Sequence, residues 1–281
     1  MSNNSPASIR ARLKQLADTD KQDFNLTLTH YGLERLLYRL SISEYRQNFI
    51  LKGALLFALW YDLPHRATRD ADLLSLGSDD IESVENVFCQ LCEMIVDDGI
   101  EFDPGSVKGI AIRKETGHGG VRINIVARLD GARIALQVDV GYGDAVTSGP
   151  ESVGYPVLLR DLPAPSLLSY PKYTVVAEKF QAVCTLGMTN SRMKDYFDLW
   201  VLLRDGDLDL LKLRQAIEAT FVRRMTPFLN AVPVGLTDEF AVDSEKQKQW
   251  RAFLKKNRLE SIELKHIVRE LRKAFQRIGV I

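Results

Sequence analysis

The chain has 281 residues, 46% of them hydrophobic and 26% charged, which is enough length and apolar content for one large or two modest folded domains and excludes a disordered chain. Lys plus Arg and Asp plus Glu each total 37, so no overall positive field holds nucleic acid nonspecifically, and any such contact needs a local patch. The start, MSNNSPASIRARL, has no apolar signal core, and no stretch approaches the roughly 18 apolar residues needed to span a bilayer; the sequence therefore predicts a cytoplasmic protein with no membrane partner.

In chain order, residues 9–43 read as helices, with Asp23 as a cap and Leu33, Leu36, Leu37 and Leu40 at helical spacing. The period then changes. A short apolar run at 49–51 precedes a helix expected over 55–61, a strand over 69–75, a helix over 80–96, and three strand candidates at 107–114, 121–129 and 132–141. Val121, Ile123, Ile125 and Leu129 alternate with Arg122, Asn124 and Arg128, and Asp130-Gly131 is a strong two-residue hairpin signal. Cys89 and Cys92 have CxxC spacing inside a helix-like apolar run; with neither a second ligand pair nor an exposed helix start, they are predicted to be core thiols. Residues 150–171 contain Pro150, Pro156, Pro163, Pro165 and Pro171 and are expected to form a linker, after which residues 174–281 read as helices almost throughout. The expected organisation is an N-terminal helical element at 1–48, an α+β core with a mixed or antiparallel sheet at 49–160, and a helical domain at 161–281.

The chemistry is expected on the strand that carries Arg69-Asp70-Ala71-Asp72. Residues at i and i+2 of a strand share a face, so Asp70 and Asp72 stand side by side while Ala71 and Leu73 point the other way. Two such hard oxygen donors suit Mg2+ ions bridging the phosphates of a nucleotide. Asp139 is the candidate third carboxylate, because Ile134, Leu136, Val138 and Val140 take the apolar face of its strand. Lys52-Gly53-Ala54 carries the chain from a strand through a glycine turn into a helix start, where free N–H groups and a close-approaching backbone favour a triphosphate. An acidic strand end and an ordinary turn are the plainer readings of these two features taken singly. Their order, turn, helix and two-carboxylate strand, is the local plan of polymerase-beta-like nucleotidyltransferases.

In the helical half, Lys179 lies at i+3 between Val176 and Val183, an apolar face where an ammonium is costly unless it meets an anion or its head reaches water. Removing it is expected to stabilise the fold slightly. Arg192, Asp195 and Asp198 share one helix face, which mutual ion pairing would also explain. Arg122, Arg128, Arg133, Arg192, Lys194, Arg223 and Arg224 are candidates for a phosphate track.

Five ordered motifs carry a resemblance over most of the chain: Tyr31-Gly32-Leu33-Glu34-Arg35-Leu36-Leu37-Tyr38-Arg39-Leu40-Ser41, Phe49-Ile50-Leu51-Lys52-Gly53-Ala54, Arg66-Ala67-Thr68-Arg69-Asp70-Ala71-Asp72, Val138-Asp139-Val140-Gly141-Tyr142-Gly143-Asp144, and Ala177-Glu178-Lys179-Phe180 followed by Ser191-Arg192-Met193-Lys194-Asp195-Tyr196-Phe197-Asp198-Leu199. They resemble the AbiEii/AbiGii nucleotidyltransferase toxin family, the enzymatic half of bacterial toxin–antitoxin pairs. The resemblance implies a polymerase-beta-like mixed sheet with flanking helices and a helical C-terminal domain. It makes Gly53 the phosphate turn, with Lys52, Ala54, Arg69 and Arg192 beside the nucleotide. Asp70 and Asp72 become metal ligands, joined by Asp139; Lys179 and Asp195 become functional residues, and Asp198 a further nucleotide-binding position. Ala54 stands where the family commonly has serine or glycine, which removes a hydroxyl contact to phosphate. The implied reaction moves a nucleoside monophosphate from an NTP, with two Mg2+ ions, to an RNA acceptor such as the tRNA 3′ end, and a cognate antitoxin is the implied partner. A metal-dependent nuclease and a non-catalytic nucleotide-binding regulator of the same fold are the rivals. The Gly53 turn disfavours the first and the retained carboxylates and Lys179 the second.

Overall fold

The computed structural model of the chain describes residues 4–61, 68–113, 119–204, 208–228 and 230–281; Arg66, Ala67 and the strand position at Lys114 lie outside them. The chain divides into two compact units, residues 1–143 with 151–169, and residues 144–150 with 170–281.

The first unit begins with α1 (Pro6–Thr19) and α2 (Phe24–Ile42). Asp23 caps α2, its carboxylate accepting the Leu26 N–H at 2.9 Å, as its position before the helical run predicts. The strands are β1 (Phe49–Lys52), β2 (Asp70–Ser75), β3 (Glu101–Arg113), β4 (Gly119–Leu129), β5 (Ala132–Tyr142), β6 (Glu151–Gly154) and β7 (Ser166–Ser169), with α3 (Phe57–Trp60) after β1 and α4 (Ile81–Glu93) after β2. Among the described residues they form one mixed sheet in the order β3-β4-β5-β2-β1-β7-β6, parallel at the β2–β5 and β1–β7 pairs and antiparallel elsewhere. The fold is α+β, as expected. The β4–β5 hairpin turns on Asp130 and Gly131, both at positive φ (44° and 76°), the conformation a two-residue turn between twisted strands requires.

Three expectations need correction. The stretch 150–171 is not a linker: it supplies β6 and β7, which pair with each other, and β7 pairs with β1. Pro150, Pro156, Pro163 and Pro165 flank these strands and none lies inside one, so no ladder N–H is lost. The helix expected over 55–61 is a 3-10 turn at Gly53–Leu56 followed by the single-turn α3. The strand expected from residue 107 starts at Glu101, and a register shift between Asp103 and Lys108 interrupts the alternation that would have revealed its first half.

One face of the sheet is covered. Leu33, Leu36, Leu37 and Leu40 of α2 gather with Phe88 and Leu91 of α4 against Ala71, Leu73 and Val138. Burial of this face orients β2 and β5, and so sets the direction of their polar side chains on the other. Cys92 is buried in the same layer and burial pushes its thiol pKa up to about 12, as a core cysteine requires.

The second unit contains α5 (Lys172–Leu186), α6 (Met193–Arg204), α7 (Leu210–Arg223), α8 (Asp238–Val242), α9 (Ser244–Asn257) and α10 (Leu264–Ile278). Leu264, Ile267, Val268, Leu271, Phe275 and Ile278 form one buried stripe on α10. Phe180 of α5 stacks on Phe275, ring centroids 3.8 Å apart, and on Phe221 of α7. Among the described residues no helix is long and apolar enough to cross a membrane.

Candidate functional site

The other face of the first unit's sheet carries a row of charged side chains. Arg122 is the register partner of Asp139, Asp139 of Asp72, and Asp72 of Lys52, so four adjacent strands each contribute one residue. Laterally paired residues point to the same face. Asp70 lies two residues along β2 from Asp72, beside Gln137 and Asn124. The placement of the two carboxylates on one face, opposite the buried Ala71 and Leu73, is the one the alternation predicts.

Gly53 closes the row at the end of β1. Its φ of +74° is the left-handed conformation glycine alone adopts freely, and a Cβ there would overlap the Asp72 carboxylate, reaching within 2.7 Å of its Cγ. A glycine is thus required twice, once by the backbone and once by the approach of Asp72. Ala54 follows in the 3-10 turn. Lys52 is buried at the end of β1. Arg69, just before β2, is an exposed residue whose guanidinium lies 3.9 Å from the exposed Asp23 carboxylate.

Asp139 is buried and held by Arg122 in a two-pronged pair: Nε donates to Oδ1 and Nη2 to Oδ2, each at 2.8 Å. The hydrogen bonds that Arg122 donates to Asp139 raise its pKa above the ordinary value against the opposing effect of burial, and the charges of Asp139, Asp70 and Asp72 add to the rise. Asp70 is held differently: the Thr68 hydroxyl donates to its Oδ1 at 2.6 Å. Among the described residues, no group of three or more His, Cys, Asp or Glu side chains is arranged to hold a metal ion. The fit to magnesium therefore rests on the Asp70 and Asp72 pair. In kind that donor set suits a hard cation that takes one or two carboxylates and completes its shell with phosphate oxygens and water.

The sequence places Arg122 only among the phosphate-track candidates and assigns Thr68 no role. The signal for Arg122 was present: counting eight residues outward from Asp130 and from Gly131 places it opposite Asp139. Thr68 sits within the motif that ends at Asp72, and only its contact with Asp70 gives it a role.

In the second unit, Lys179 of α5 meets two fully buried carboxylates of α6, Asp195 Oδ1 at 2.8 Å and Asp198 Oδ2 at 2.7 Å. Arg192 Nε lies 2.6 Å from Asp195 Oδ2, an ionic contact without hydrogen-bond angles. Burial by itself would raise the Asp195 pKa; the charges of Lys179 and Arg192 outweigh it and hold the carboxyl below its usual range. Val176 and Val183 are buried on either side of Lys179, so the apolar face is real and the anions that compensate the ammonium are these two aspartates. Arg224 is likewise paired, with Asp144 at 2.9 Å and Glu178 at 3.2 Å. Of the basic residues considered for a phosphate track, Arg122, Arg192 and Arg224 are thus engaged in ion pairs within their own units.

Among solved structures, a Helicobacter pylori protein described as a nucleotidyltransferase matches with 13% identity and a TM-score of 0.48, over 89% of this chain and 96% of that one. JHP933 from Helicobacter pylori matches with 15% identity and a TM-score of 0.46, over 90% and 94%. An antigenic nucleotidyltransferase-like protein from Paracoccidioides brasiliensis matches with 16% identity and a TM-score of 0.37, over 68% and 89%. No curated protein sequence matches. The family model for the nucleotidyl transferase AbiEii toxin of type IV toxin–antitoxin systems matches residues 35–277, a span that takes in β1 with its glycine turn, the Asp70–Asp72 strand, and the Lys179–Asp195 pair. The chain belongs to the AbiEii nucleotidyl transferase toxin family.

Proposed function

We propose that the protein is a magnesium-dependent, cytoplasmic toxin that transfers a nucleoside monophosphate from an NTP to an RNA acceptor, the tRNA 3′ end, and that a cognate antitoxin relieves its effect. The family supports an NTP substrate and an antitoxin partner. The observation that carries the reading is the seating of Gly53 against the Asp72 carboxylate, with Asp70 on the same face of the sheet.

Asp70 and Asp72 would hold the metal. When bound, magnesium neutralises phosphate charge and helps align the triphosphate. The Gly53 turn lets backbone approach the phosphates, with Lys52, Ala54 and Arg69 around it. The acceptor hydroxyl oxygen forms a bond to the α-phosphorus, the bond from that phosphorus to the bridging oxygen breaks, and pyrophosphate departs while the hydroxyl gives up its proton. Asp139 keeps Arg122 fixed near the two carboxylates, a preset positive charge for the phosphate chain. Lys179, Asp195, Asp198 and Arg192 are proposed to be required for the same reaction.

The test pairs biochemistry with growth. Purified protein is incubated with each labelled NTP, Mg2+ and total RNA, and the wild type and the Asp70→Asn/Asp72→Asn double variant are induced in a bacterium with tRNA 3′ ends sequenced. Label on RNA and growth arrest are expected only for the wild type, with extended tRNA ends. Equal harm, or no harm, from both proteins would overturn the enzymatic-toxin reading. Arrest by the wild type alone with unaltered tRNA ends would move the acceptor elsewhere.

A further inference from the structure

The geometry points to His30 as a positioning residue for Asp70, acting through Thr68. This inference rests on the reading of Asp70 as a metal ligand and adds to it a two-step support that begins on α2.

Thr68 is the link. Its carbonyl oxygen lies 2.7 Å from His30 Nε2, and its hydroxyl donates to Asp70 Oδ1 at 2.6 Å. A carbonyl only accepts, so Nε2 carries the hydrogen and the ring is in its Nε2–H form. Burial, the largest influence on His30, lowers its pKa, and the hydrogen bond to Thr68 opposes that shift. The histidine comes from a different element, 38 positions away in sequence, anchored in a helix whose neighbouring residues Tyr31 and Leu33 are buried. It therefore fixes Thr68 against a rigid part of the fold at the point where the chain enters β2.

The consequence falls on the carboxylate. Asp70 is half-buried and has two rotatable bonds; an O–H donor on one oxygen restricts its orientation and leaves the second oxygen's lone pairs for a cation. A ligand held this way loses less freedom on binding, which is how outer partners of metal ligands typically contribute 10–100-fold in affinity or activity. The hydroxyl has this effect only if the Thr68 backbone is itself held, and the Nε2–H bond to its carbonyl is the contact that holds it.

The test uses the full chain, Mn2+ as a spectroscopic probe without nucleotide, and labelled transfer in parallel. Free Mn2+ is followed by electron paramagnetic resonance. Thr68→Val, which keeps shape and removes the hydroxyl, and His30→Phe are each expected to weaken Mn2+ binding about 10–100-fold. Thr68→Ser and His30→Gln, which keep a donor, are expected to stay near the wild type. The Thr68→Val/His30→Phe double variant is expected to be little worse than either single one, because both break one chain of contacts. Wild-type Mn2+ affinity in folded Thr68→Val overturns the inference, as does equal loss in His30→Gln and His30→Phe. Should His30→Phe fail to fold, Thr68→Val and His30→Gln decide the matter. Asp70→Asn separates the two levels: if it retains both Mn2+ binding and transfer, the metal-ligand reading falls; if it loses both while Thr68→Val and His30→Phe keep both, only the support through His30 falls.

Discussion

At the scale of single residues, three positions show how context sets a consequence. Gly53 must be glycine on two counts, its positive φ and the Asp72 carboxylate against it. Gly53→Ala is therefore expected to displace Asp72 and abolish nucleotidyl transfer while the protein stays folded by circular dichroism; transfer at the wild-type rate would remove the turn from the site. Lys179 reverses an expectation drawn from the sequence. Its removal should relieve an apolar face of a charge, yet the ammonium compensates two buried carboxylates, Asp195 and Asp198. Lys179→Ala is thus expected to destabilise the second unit by about 3–5 kcal/mol, the usual result of breaking a buried pair from one side. Urea unfolding checks the sign, and an unchanged or raised midpoint would contradict it. Glu34 supplies a pH dependence. Burial raises its pKa to about 7 from 4.5, against the pull of Arg35. Between those values the folded state holds a proton that the unfolded chain releases, so this group's contribution makes stability fall as pH rises through the window. Comparing unfolding midpoints at pH 5 and pH 8, Glu34→Gln is expected to lose less stability with rising pH than the wild type; equal slopes would refute the assignment.

At the scale of elements, strands and helices were legible where their period was local. The leucine stripe of α2, the alternation of β4 and β5 and the cap at Asp23 are read directly from spacing, and the two-residue turn sets the register that brings Arg122 to Asp139. The segment 151–169 was not legible, since prolines between short strands resemble a linker until their partner strand is known. Leu167, 2% exposed in β7, distinguishes the two. Leu167→Ala is expected to cost about 2–5 kcal/mol in urea unfolding, the range for truncating a buried leucine. A change within about 0.5 kcal/mol, typical of a surface position, would return the segment to the status of a linker. The same difficulty hid the first half of β3, where the irregularity after Asp103 breaks the alternation.

At the scale of the whole molecule, the chain forms two compact units. The first contains the sheet with Asp70, Asp72 and Asp139; the second contains Lys179, Asp195 and Asp198. A fragment ending at residue 169 keeps the sheet and loses the second set. It is expected to fold, with cooperative thermal unfolding, and to transfer no label from NTP to RNA. Transfer at the full-length rate would confine the chemistry to the first unit.

By itself the sequence determined the fold class, the family motifs, and which residues share a face. These follow from periods of two and 3.6 residues and from turn chemistry, which are encoded within a dozen positions. Tertiary structure alone decided the partners: Asp195 and Asp198 against Lys179, Thr68 between His30 and Asp70, β7 beside β1, and the buried Arg39 of α2 against Asp98. A charge reads as surface in a linear pattern, and whether it is buried depends on a compensating group brought in by a distant segment, as Asp98 is to Arg39 at 2.7 Å. Such pairings depend on which strands and helices come to lie side by side, and periodicity within one segment carries no record of its neighbour.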